Sequence, residues 1–334
     1  MKKILILGAA GFLGQHLEYR LKADGHFVVS ASRSHPKYRP SVADEFHIVD
    51  LREVRDVHTL MARHPFDQVY QLAGDVGGLN HIGTGFHDAD IMTNSIHINL
   101  TVLDAARRIK PGRIFFASSQ CVYPDRFEID PFAGERLVSE LNLMPRLFAE
   151  RDASFDTFAF AQEKLFAEKL YDAYHRNHGL DIRIGRIGNT YGPYCTWQGP
   201  RAKAPAALCR KVAEAAYAGV VDIIGDGQQS RSFTYVDDAV EGMIRLMETN
   251  YWKPVNIASR EVVTIGQLFE AICHVSGKIL AGRSVNGPVG VHSRGSDNTL
   301  CRHILGWEPK ISLFDGLERT FPWIVEQILR KADA

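Results

Sequence analysis

Short apolar runs alternate with amphipathic segments along the first half of the chain. The runs predict β-strands at Ile4–Leu7, Phe27–Ser30, Glu45–Val49, Gln68–Leu72, Arg113–Ala117 and Asp181–Arg186. The amphipathic segments predict helices at Phe12–Ala23, Asn94–Ile109 and Phe160–His175. Strands that alternate with helices in this way are typical of a parallel sheet with helices on both faces. We therefore predict an α/β fold with a doubly wound parallel sheet.

The pattern changes after Asn189, where a loop rich in glycine, proline and aromatic residues leads to Pro205. Further helices are predicted at Ala206–Ala218, Ile265–Ser276 and Leu313–Arg330, and Ser232–Thr249 is expected to return to the sheet. We therefore predict a large domain at residues 1–187 plus about 232–258. A smaller, interleaved C-terminal α/β substrate lobe would then comprise residues 188–231 and 259–334.

Charge and cysteine content exclude several classes of protein. The 334 residues include 39 Lys+Arg and 39 Asp+Glu, so the formal net charge is zero, and we expect neither a nucleic acid nor a membrane partner. The five cysteines have no paired or His/Cys spacing, which predicts neither a disulfide framework nor a metal site. The apolar run after Lys3 is too short for a signal peptide or a membrane span, so we expect a cytoplasmic protein.

A glycine-rich turn follows the first predicted strand and begins the first predicted helix. Its glycines are Gly8, Gly11 and Gly14. Glycine at these positions permits a tight turn and a close approach of the backbone to a pyrophosphate, and the helix N-terminus supplies N–H donors. The motif predicts a Rossmann-like dinucleotide-binding domain. A turn that needs glycine for structural reasons alone is the alternative interpretation.

The second predicted strand ends without the Asp or Glu that would hold the 2′-hydroxyl of a ribose. Ser32 and Arg33 follow it and could accommodate a 2′-phosphate, which favours NADP over NAD; a solvated Arg33 is the alternative. Asp50, after the third strand, is placed to contact the adenine. The predicted cofactor-binding residues of these segments and of the neighbouring strand end are Gly8, Gly11, Phe12, Leu13, Gly14, Ser32, Arg33, Asp50, Leu51 and Leu72.

Two segments resemble the catalytic residues of the extended short-chain dehydrogenase/reductase superfamily. Ser119 follows the fifth predicted strand, and Lys164 lies on a predicted helix in the order Phe160-Ala-Gln-Glu-Lys164. The superfamily places a tyrosine four residues before this lysine, and Phe160 occupies that position here. The resemblance implies that Lys164 also binds the ribose of the cofactor.

Further blocks resemble the GDP-mannose 3,5-epimerase family, a nucleotide-sugar epimerase branch of that superfamily. The blocks are Leu72–Leu79, Ser119–Pro124, Gly185–Pro193, Arg201–Lys211, Gly225–Thr234 and Arg294–Asn298. The similarity extends over nearly the whole chain, and Lys203-Ala-Pro-Ala-Ala is far more specific than the glycine turn. Residues 126–157 depart most from the family.

The resemblance implies a mechanism, a GDP-hexose substrate and a set of site residues. A hydride leaves C4 of the sugar for NAD or NADP, which stays tightly bound and is recycled, and the resulting ketone acidifies the hydrogens on C3 and C5. The implied catalytic residues are Cys121 as the base, Lys203 as the acid, Lys164, Ser119, and Phe160 at the expected Tyr position. The implied substrate-binding residues are Asp75, Gly77, Ser119, Cys121, Asn189, Lys203, Lys211, Gln229, Arg231 and Arg294. The family also implies a homodimer formed through the helices Asn94–Ile109 and Phe160–His175.

Phe160 lacks the phenol that is expected to remove the proton of the 4-hydroxyl group. Losing such a base costs on the order of two to four decades in rate. Three explanations stay open: a deliberate substitution that traps substrate, natural replacement by another base, and a homologue without catalysis. Two other functions also stay open, a GDP-L-fucose synthase-like NADPH-dependent epimerase-reductase and a non-catalytic nucleotide-sugar sensor. The leading prediction is an isomerase of impaired activity.

Overall fold

The computed structural model describes residues 1–123, 159–290 and 293–332, and its elements are numbered in chain order within these ranges. The strands are β1 (Lys3–Leu7), β2 (Phe27–Ser32), β3 (Glu45–Ile48), β4 (Gln68–Gln71), β5 (Arg113–Ser119), β6 (Ile182–Ile187), β7 (Asn189–Tyr191), β8 (Val220–Ile224), β9 (Ser230–Tyr235), β10 (Val255–Ile257), β11 (Val262–Thr264), β12 (Ala281–Val285) and β13 (Ser293–Arg294). Seven of them form a parallel sheet in the order β10-β6-β5-β4-β1-β2-β3. The predicted α/β fold is confirmed.

Helices pack on both faces of this sheet and build the smaller lobe. They are α1 (Phe12–Ala23), α2 (Val54–Met61), α3 (Leu79–Ile82), α4 (Asp88–Ile109), α5 (Ala159–His178), α6 (Ala204–Glu214), α7 (Val236–Glu248), α8 (Ile265–Ser276), α9 (Thr299–Leu305) and α10 (Leu313–Ala332). No helix within the described ranges is long and apolar enough to span a membrane.

Strand β1 is covered on both faces, and this explains its uninterrupted apolar sequence. Leu5 and Leu7 enter the core beneath α2, α4 and α5, whereas Ile4 and Ile6 enter the core beneath α1, α7 and α9. Because successive side chains point to opposite faces, a strand that is covered on both faces is apolar at every position. Its carboxyl end, where Leu7 meets the glycine turn, is therefore fixed from both sides.

The smaller lobe has its own sheets and its own core. Strand β9 pairs with β7, β11 and β13, and β8 pairs with β12. Its buried residues include Trp197, Phe233 and Phe269, which pack with α6, α8 and α10. The division of the chain into the two predicted domains stays a prediction, although β10 joins the large sheet beside β6.

The structure corrects several predicted boundaries. Residues Ser232–Thr249 do not return as a strand of the large sheet, because they contain the end of β9 and the helix α7. Helix α4 begins at Asp88 rather than Asn94, with two aspartates in its first turn, where acidic side chains favour the helix dipole. Helix α6 spans Ala204–Glu214 rather than Ala206–Ala218, since a proline is tolerated in the first turn. The divergent segment 126–157 lies outside the described residues.

Candidate active site

A cavity of about 480 Å³ lies at the carboxyl ends of the parallel strands, where ligands bind in open α/β sheets. Its wall contains every predicted cofactor-binding and catalytic residue: Gly8, Gly11, Phe12, Leu13, Gly14, Ser32, Arg33, Asp50, Leu51, Leu72, Ser119, Cys121, Phe160, Lys164 and Lys203. The predicted substrate residues Asp75, Gly77 and Asn189 also line it. Their roles stay predictions, but the structure brings them to one place.

The glycine turn at one end of the cavity has no room for side chains. Gly8 has a φ of +88°, and a Cβ there would lie 2.8 Å from the backbone nitrogen of Ala73. A Cβ on Gly14 would lie 2.4 Å from the carbonyl oxygen of Gly8. The turn leads directly into α1, whose N-terminal N–H groups favour an anion. These residues fit the pyrophosphate of a dinucleotide.

The end of the cavity next to β2 and β3 combines serine, arginine and aspartate side chains. Strand β2 ends at Ser32, and the exposed Arg33 follows it. Asp50 accepts a hydrogen bond of 2.5 Å from Nη2 of Arg52. Hydrogen bonds from Arg52 lower the pKa of the Asp50 carboxyl, although partial burial opposes this. Asp50 is therefore an anion that already has a partner, and Arg52 is a lining residue that the sequence did not single out.

Ser119 holds the turn that presents Cys121 to the cavity. Strand β5 ends at Ser119, whose Oγ accepts a hydrogen bond of 3.1 Å from the backbone nitrogen of Cys121 and so caps a short 3-10 turn at Gln120–Val122. The half-buried Cys121 packs against Ile82, Ile91 and Phe160. Only part of this side chain is available to a ligand, and that part faces the cavity.

Lys203 reaches the same cavity from the smaller lobe. It is the residue directly before α6, and its side chain is half-buried. Burial lowers the pKa of its ammonium group, while interactions with the thiols of Cys121 and Cys195 oppose the change. A lysine with a lowered pKa releases its proton more readily near neutral pH, as a general acid requires.

Three contacts hold the segment before Lys203 against the loop after β4. Nη1 of Arg201 donates to Oδ1 of Asp75 at 2.8 Å and to the carbonyl oxygen of Val76 at 2.8 Å. The backbone nitrogen of Gly78 donates to the carbonyl oxygen of Arg201 at 3.0 Å. We call the contacts of Asp75, Val76 and Gly78 with Arg201 the Arg201 brace.

His81 adds a second donor to the carboxylate in the Arg201 brace. Its Nε2 lies 3.0 Å from Oδ1 of Asp75, and its ring is buried. Partial burial opposes ionisation, but hydrogen bonds from Arg201 and His81 together lower the pKa of Asp75. Much of the hydrogen-bonding capacity of Asp75 is therefore used within the protein. Its negative charge helps to hold Arg201, and thereby the segment that leads to Lys203, in position.

Within the described ranges, no tyrosine takes the place of the phenol that is missing at position 160. The ring of Phe160 is 6% exposed, and its centroid lies 5.7 Å from Nζ of Lys164. Among the described residues that line the cavity the one tyrosine is Tyr191, whose hydroxyl donates to the carbonyl oxygen of Leu313 at 3.0 Å. Its phenol is turned away from the cavity towards α10.

Four predicted substrate residues lie outside the described wall of the cavity. Lys211 donates from Nζ to the carbonyl oxygen of Asp222, and Gln229 donates to that of Ile224. Arg231 and Arg294 are directly opposite each other in the paired strands β9 and β13. These two arginines are gathered on one sheet of the smaller lobe, and their contact with a diphosphate stays a prediction.

Comparison with known proteins gives the family. The model of the NAD dependent epimerase/dehydratase family matches residues 4–258. The chain belongs to this family. GDP-mannose 3,5-epimerase 1 of Oryza sativa subsp. indica is 38% identical over 98% of this chain and 82% of its own length.

Solved structures agree with this assignment. UDP-glucose 4-epimerase of Thermotoga maritima, at 21% identity, has a TM-score of 0.81 and covers 98% of this chain and 99% of its own, which supports the fold. A Tyr-to-Phe mutant of Bacillus cereus UDP-glucuronic acid 4-epimerase, with NAD and UDP-4-deoxy-4-fluoro-glucuronic acid bound, is 27% identical with a TM-score of 0.79. These alignments cover 98% of this chain and 99% of the Bacillus chain. The chain is thus an epimerase-family protein of the NAD-dependent, nucleotide-sugar type.

Sequence reasoning missed Arg52, His81, Glu163 and Arg201 as members of the site. Arg201 lay inside the Lys203 block, and Glu163 directly precedes Lys164 in the helical motif. Glu163 lies three positions after Phe160, so both are on one face of a helix. That spacing was the available signal that a carboxyl is buried beside the cavity. Arg52 lies two residues after its partner Asp50, which is a local signal, whereas no motif links His81 to Asp75.

Proposed function

We propose that this chain is a nucleotide-sugar epimerase that inverts C3 and C5 of GDP-mannose. The product would be GDP-L-galactose, or GDP-L-gulose when C5 alone is inverted. The main support for the proposal is that Cys121 and Lys203, which come from distant parts of the chain, line the same cavity. The glycine turn lines that cavity as well. The 38% identity to GDP-mannose 3,5-epimerases over 98% of the chain supports the choice of sugar.

In this proposal, two residues of the cavity transfer protons on opposite faces of the sugar. When bound, the nicotinamide cofactor supplies the hydride chemistry that makes a ketone at C4 of the sugar and later reduces it. The ketone acidifies the neighbouring C–H groups, so Cys121 removes a proton and Lys203 delivers one to the opposite face. Ser119 orients the turn of Cys121, and the Arg201 brace fixes the segment that ends at Lys203.

The test is solvent exchange by the Phe160→Tyr variant in heavy water with GDP-mannose as the substrate. The recovered sugar should contain deuterium at C3 and C5, and no net NADPH should be consumed. Net NADPH loss would instead support the GDP-L-fucose synthase-like epimerase-reductase. Binding without exchange or product would support the nucleotide-sugar sensor. Absence of deuterium at both carbons, with substrate bound, would refute the proposal.

Phe160 makes this protein a weakly active or substrate-trapping form in our proposal. The packed ring of Phe160 has no group that could take the proton of the 4-hydroxyl. A Tyr-to-Phe mutant of Bacillus cereus UDP-glucuronic acid 4-epimerase was solved with NAD and a 4-deoxy-4-fluoro sugar nucleotide, so such a substitution is compatible with binding of both. In the proposal, the proton of the 4-hydroxyl group can still be removed slowly by other residues.

The cofactor, assembly and compartment are also proposals. Ser32 and Arg33 in the cavity wall support NADP beside NAD, and calorimetry that finds NADP bound more weakly than NAD by ten-fold or more would exclude that preference. Leu100 on α4 and Phe166 on α5 are 40% and 51% exposed, which supports a homodimer through these helices. All five cysteines are free, which supports a reducing cytoplasm.

A further inference from the structure

A fully buried carboxyl lies beside the lysine of the active site. Glu163 is 0% exposed and belongs to α5, one residue before Lys164. Burial of a carboxyl is costly unless hydrogen bonds or a neighbouring charge compensate for the lost water. The contacts of Glu163 therefore decide what this residue does.

One carboxyl oxygen of Glu163 is held by a fixed amide. Nδ2 of Asn99 donates to Oε1 of Glu163 at 3.1 Å. The amide cannot turn around, because its oxygen accepts from Nε2 of Gln71 at 3.0 Å and from the hydroxyl of Tyr171 at 3.2 Å. Oε1 is consequently an acceptor in either charge state of Glu163, and a proton on this carboxyl must occupy Oε2.

The other oxygen faces the active-site lysine without a hydrogen bond. Oε2 of Glu163 is buried and has no hydrogen-bond partner among the described residues. It lies 3.8 Å from Nζ of Lys164, at ion-pair distance, and Lys164 in turn lines the cavity. A buried polar atom without a partner is rare and calls for a functional explanation. The orphan atom here is the one that can receive a proton from Lys164.

We propose that Glu163 accepts, through Lys164, the proton that the 4-hydroxyl of the sugar releases when C4 is oxidised. The inference rests on the proposed epimerase function and supplies the slow proton route that Phe160 leaves open. Glu163 touches neither the sugar nor the cofactor, so it is a positioning residue that acts through Lys164.

The step balances without any further reactant. The O4–H bond breaks and its proton passes to Nζ of Lys164, directly or through one water, while Lys164 passes one of its own protons to Oε2 of Glu163. A bound oxidised nicotinamide would accept the hydride of C4, which would then become a carbonyl carbon. Lys164 ends as the ammonium it was, and Glu163 ends as a neutral carboxylic acid. The reverse transfers return C4 to an alcohol after inversion.

The electrostatics of the cluster favour proton uptake by the carboxyl of Glu163. Burial raises the pKa of Glu163, while Lys164 and Asn99 oppose the rise. Lys164 and Tyr171, both on α5, are the titratable groups that interact with it among the described residues, and α4 and β4 contribute the neutral Asn99 and Gln71. The route needs the ionised carboxylate, so the rate should fall as the pH falls through the pKa of Glu163.

A double-mutant cycle separates this role from packing. Glu163→Gln should lower the rate of reduced-cofactor formation with GDP-mannose about 100-fold in the parent protein, the usual worth of a proton acceptor. In the Phe160→Tyr background the phenol takes the proton, and the same Glu163→Gln change should cost less than about three-fold. A structural role would give the same loss in both backgrounds, because additivity fails only for coupled residues. Tyr171→Phe is the control, since it removes a hydrogen bond from the same cluster but leaves the carboxyl of Glu163 in place.

The outcomes distinguish this inference from the proposed function. Equal losses from Glu163→Gln in both backgrounds, or an equal loss from Tyr171→Phe, would overturn the role of Glu163 while the enzyme still exchanges C3 and C5 protons. Absence of that exchange in both backgrounds would instead overturn the proposed function. The acid side of the pH–rate profile should also disappear in Glu163→Gln, which a packing defect would not cause.

A second readout needs no bound cofactor. The unfolded pKa of a glutamate is about 4.3. Because the folded pKa of Glu163 is raised, its contribution to stability is present below the unfolded value and is lost as the pH rises through the folded value. Denaturant unfolding should therefore show Glu163→Gln gaining stability relative to the parent as the pH rises above about 4.3. A difference that does not change with pH would contradict the raised pKa that the route requires.

Discussion

The close packing in the Arg201 brace predicts that Gly78 cannot be replaced without moving the segment before Lys203. A Cβ on Gly78 would lie 2.2 Å from the carbonyl oxygen of Ala202, the residue directly before Lys203. Ordinary van der Waals contact begins at 3.4 Å, so Gly78→Ala forces a shift of the order of 1 Å between the two segments. A misplacement of about 1 Å costs about 100-fold in a catalytic step.

The rate of proton transfer by Lys203 should be reduced, whereas the rate of oxidation at C4 should not. We expect Gly78→Ala to slow inversion at C3 and C5 about 100-fold while the transient formation of reduced cofactor, followed by its absorbance, changes little. Gly266→Ala is the matched control, because its Cβ would meet its nearest atom at an ordinary 3.5 Å. Equal slowing of both steps, or unchanged inversion with the fold intact, would refute the positioning role of the Arg201 brace.

Three further substitutions test other parts of the account. Phe160→Tyr should raise turnover by about 10²- to 10⁴-fold at similar GDP-mannose affinity, measured by steady-state kinetics and calorimetry; unchanged turnover would show that no phenol is missing. Burial lowers the pKa of Lys203, so the rate should fall at high pH through that lowered value, and Lys203→Arg should remove this alkaline limb. Glu168→Gln leaves the buried Arg186, 2.7 Å away, without its counterion and should cost about 3–5 kcal/mol in denaturant unfolding.

Six of the seven strands of the large sheet could be predicted as short runs between turn residues, most clearly β1, which is an uninterrupted apolar run after Lys3. Residues Ile4–Leu7 are buried on both faces, and that requirement is visible in the sequence itself. The glycine turn was equally visible, because the close approach of Gly14 to Gly8 excludes every side chain. Helix α8 was predicted with its observed bounds, since Thr264 and Gln267 form a capping box at its start.

The smaller lobe, and the contacts that position the site residues, depend on pairs of residues that are far apart in sequence. Strand β13 has two residues and exists because it pairs with β9, which no local pattern indicates. Asp75 and Arg201 are 126 residues apart, and their hydrogen bond gives Asp75 a second role besides the predicted sugar contact. A glutamate on a helix is usually exposed, and beyond its spacing from Phe160 it is the contact with Asn99 of α4 that shows Glu163 to be buried.

The central claim is that Cys121 and Lys203 move protons on opposite faces of a transiently oxidised sugar. The most direct test is to incubate Lys203→Ala and Cys121→Ala separately with GDP-mannose in heavy water and to read deuterium and configuration at C3 and C5 by NMR. We predict that Lys203→Ala still exchanges these hydrogens but returns them with the original configuration, and that Cys121→Ala exchanges neither. Inversion at the parent rate in either variant would contradict the claim.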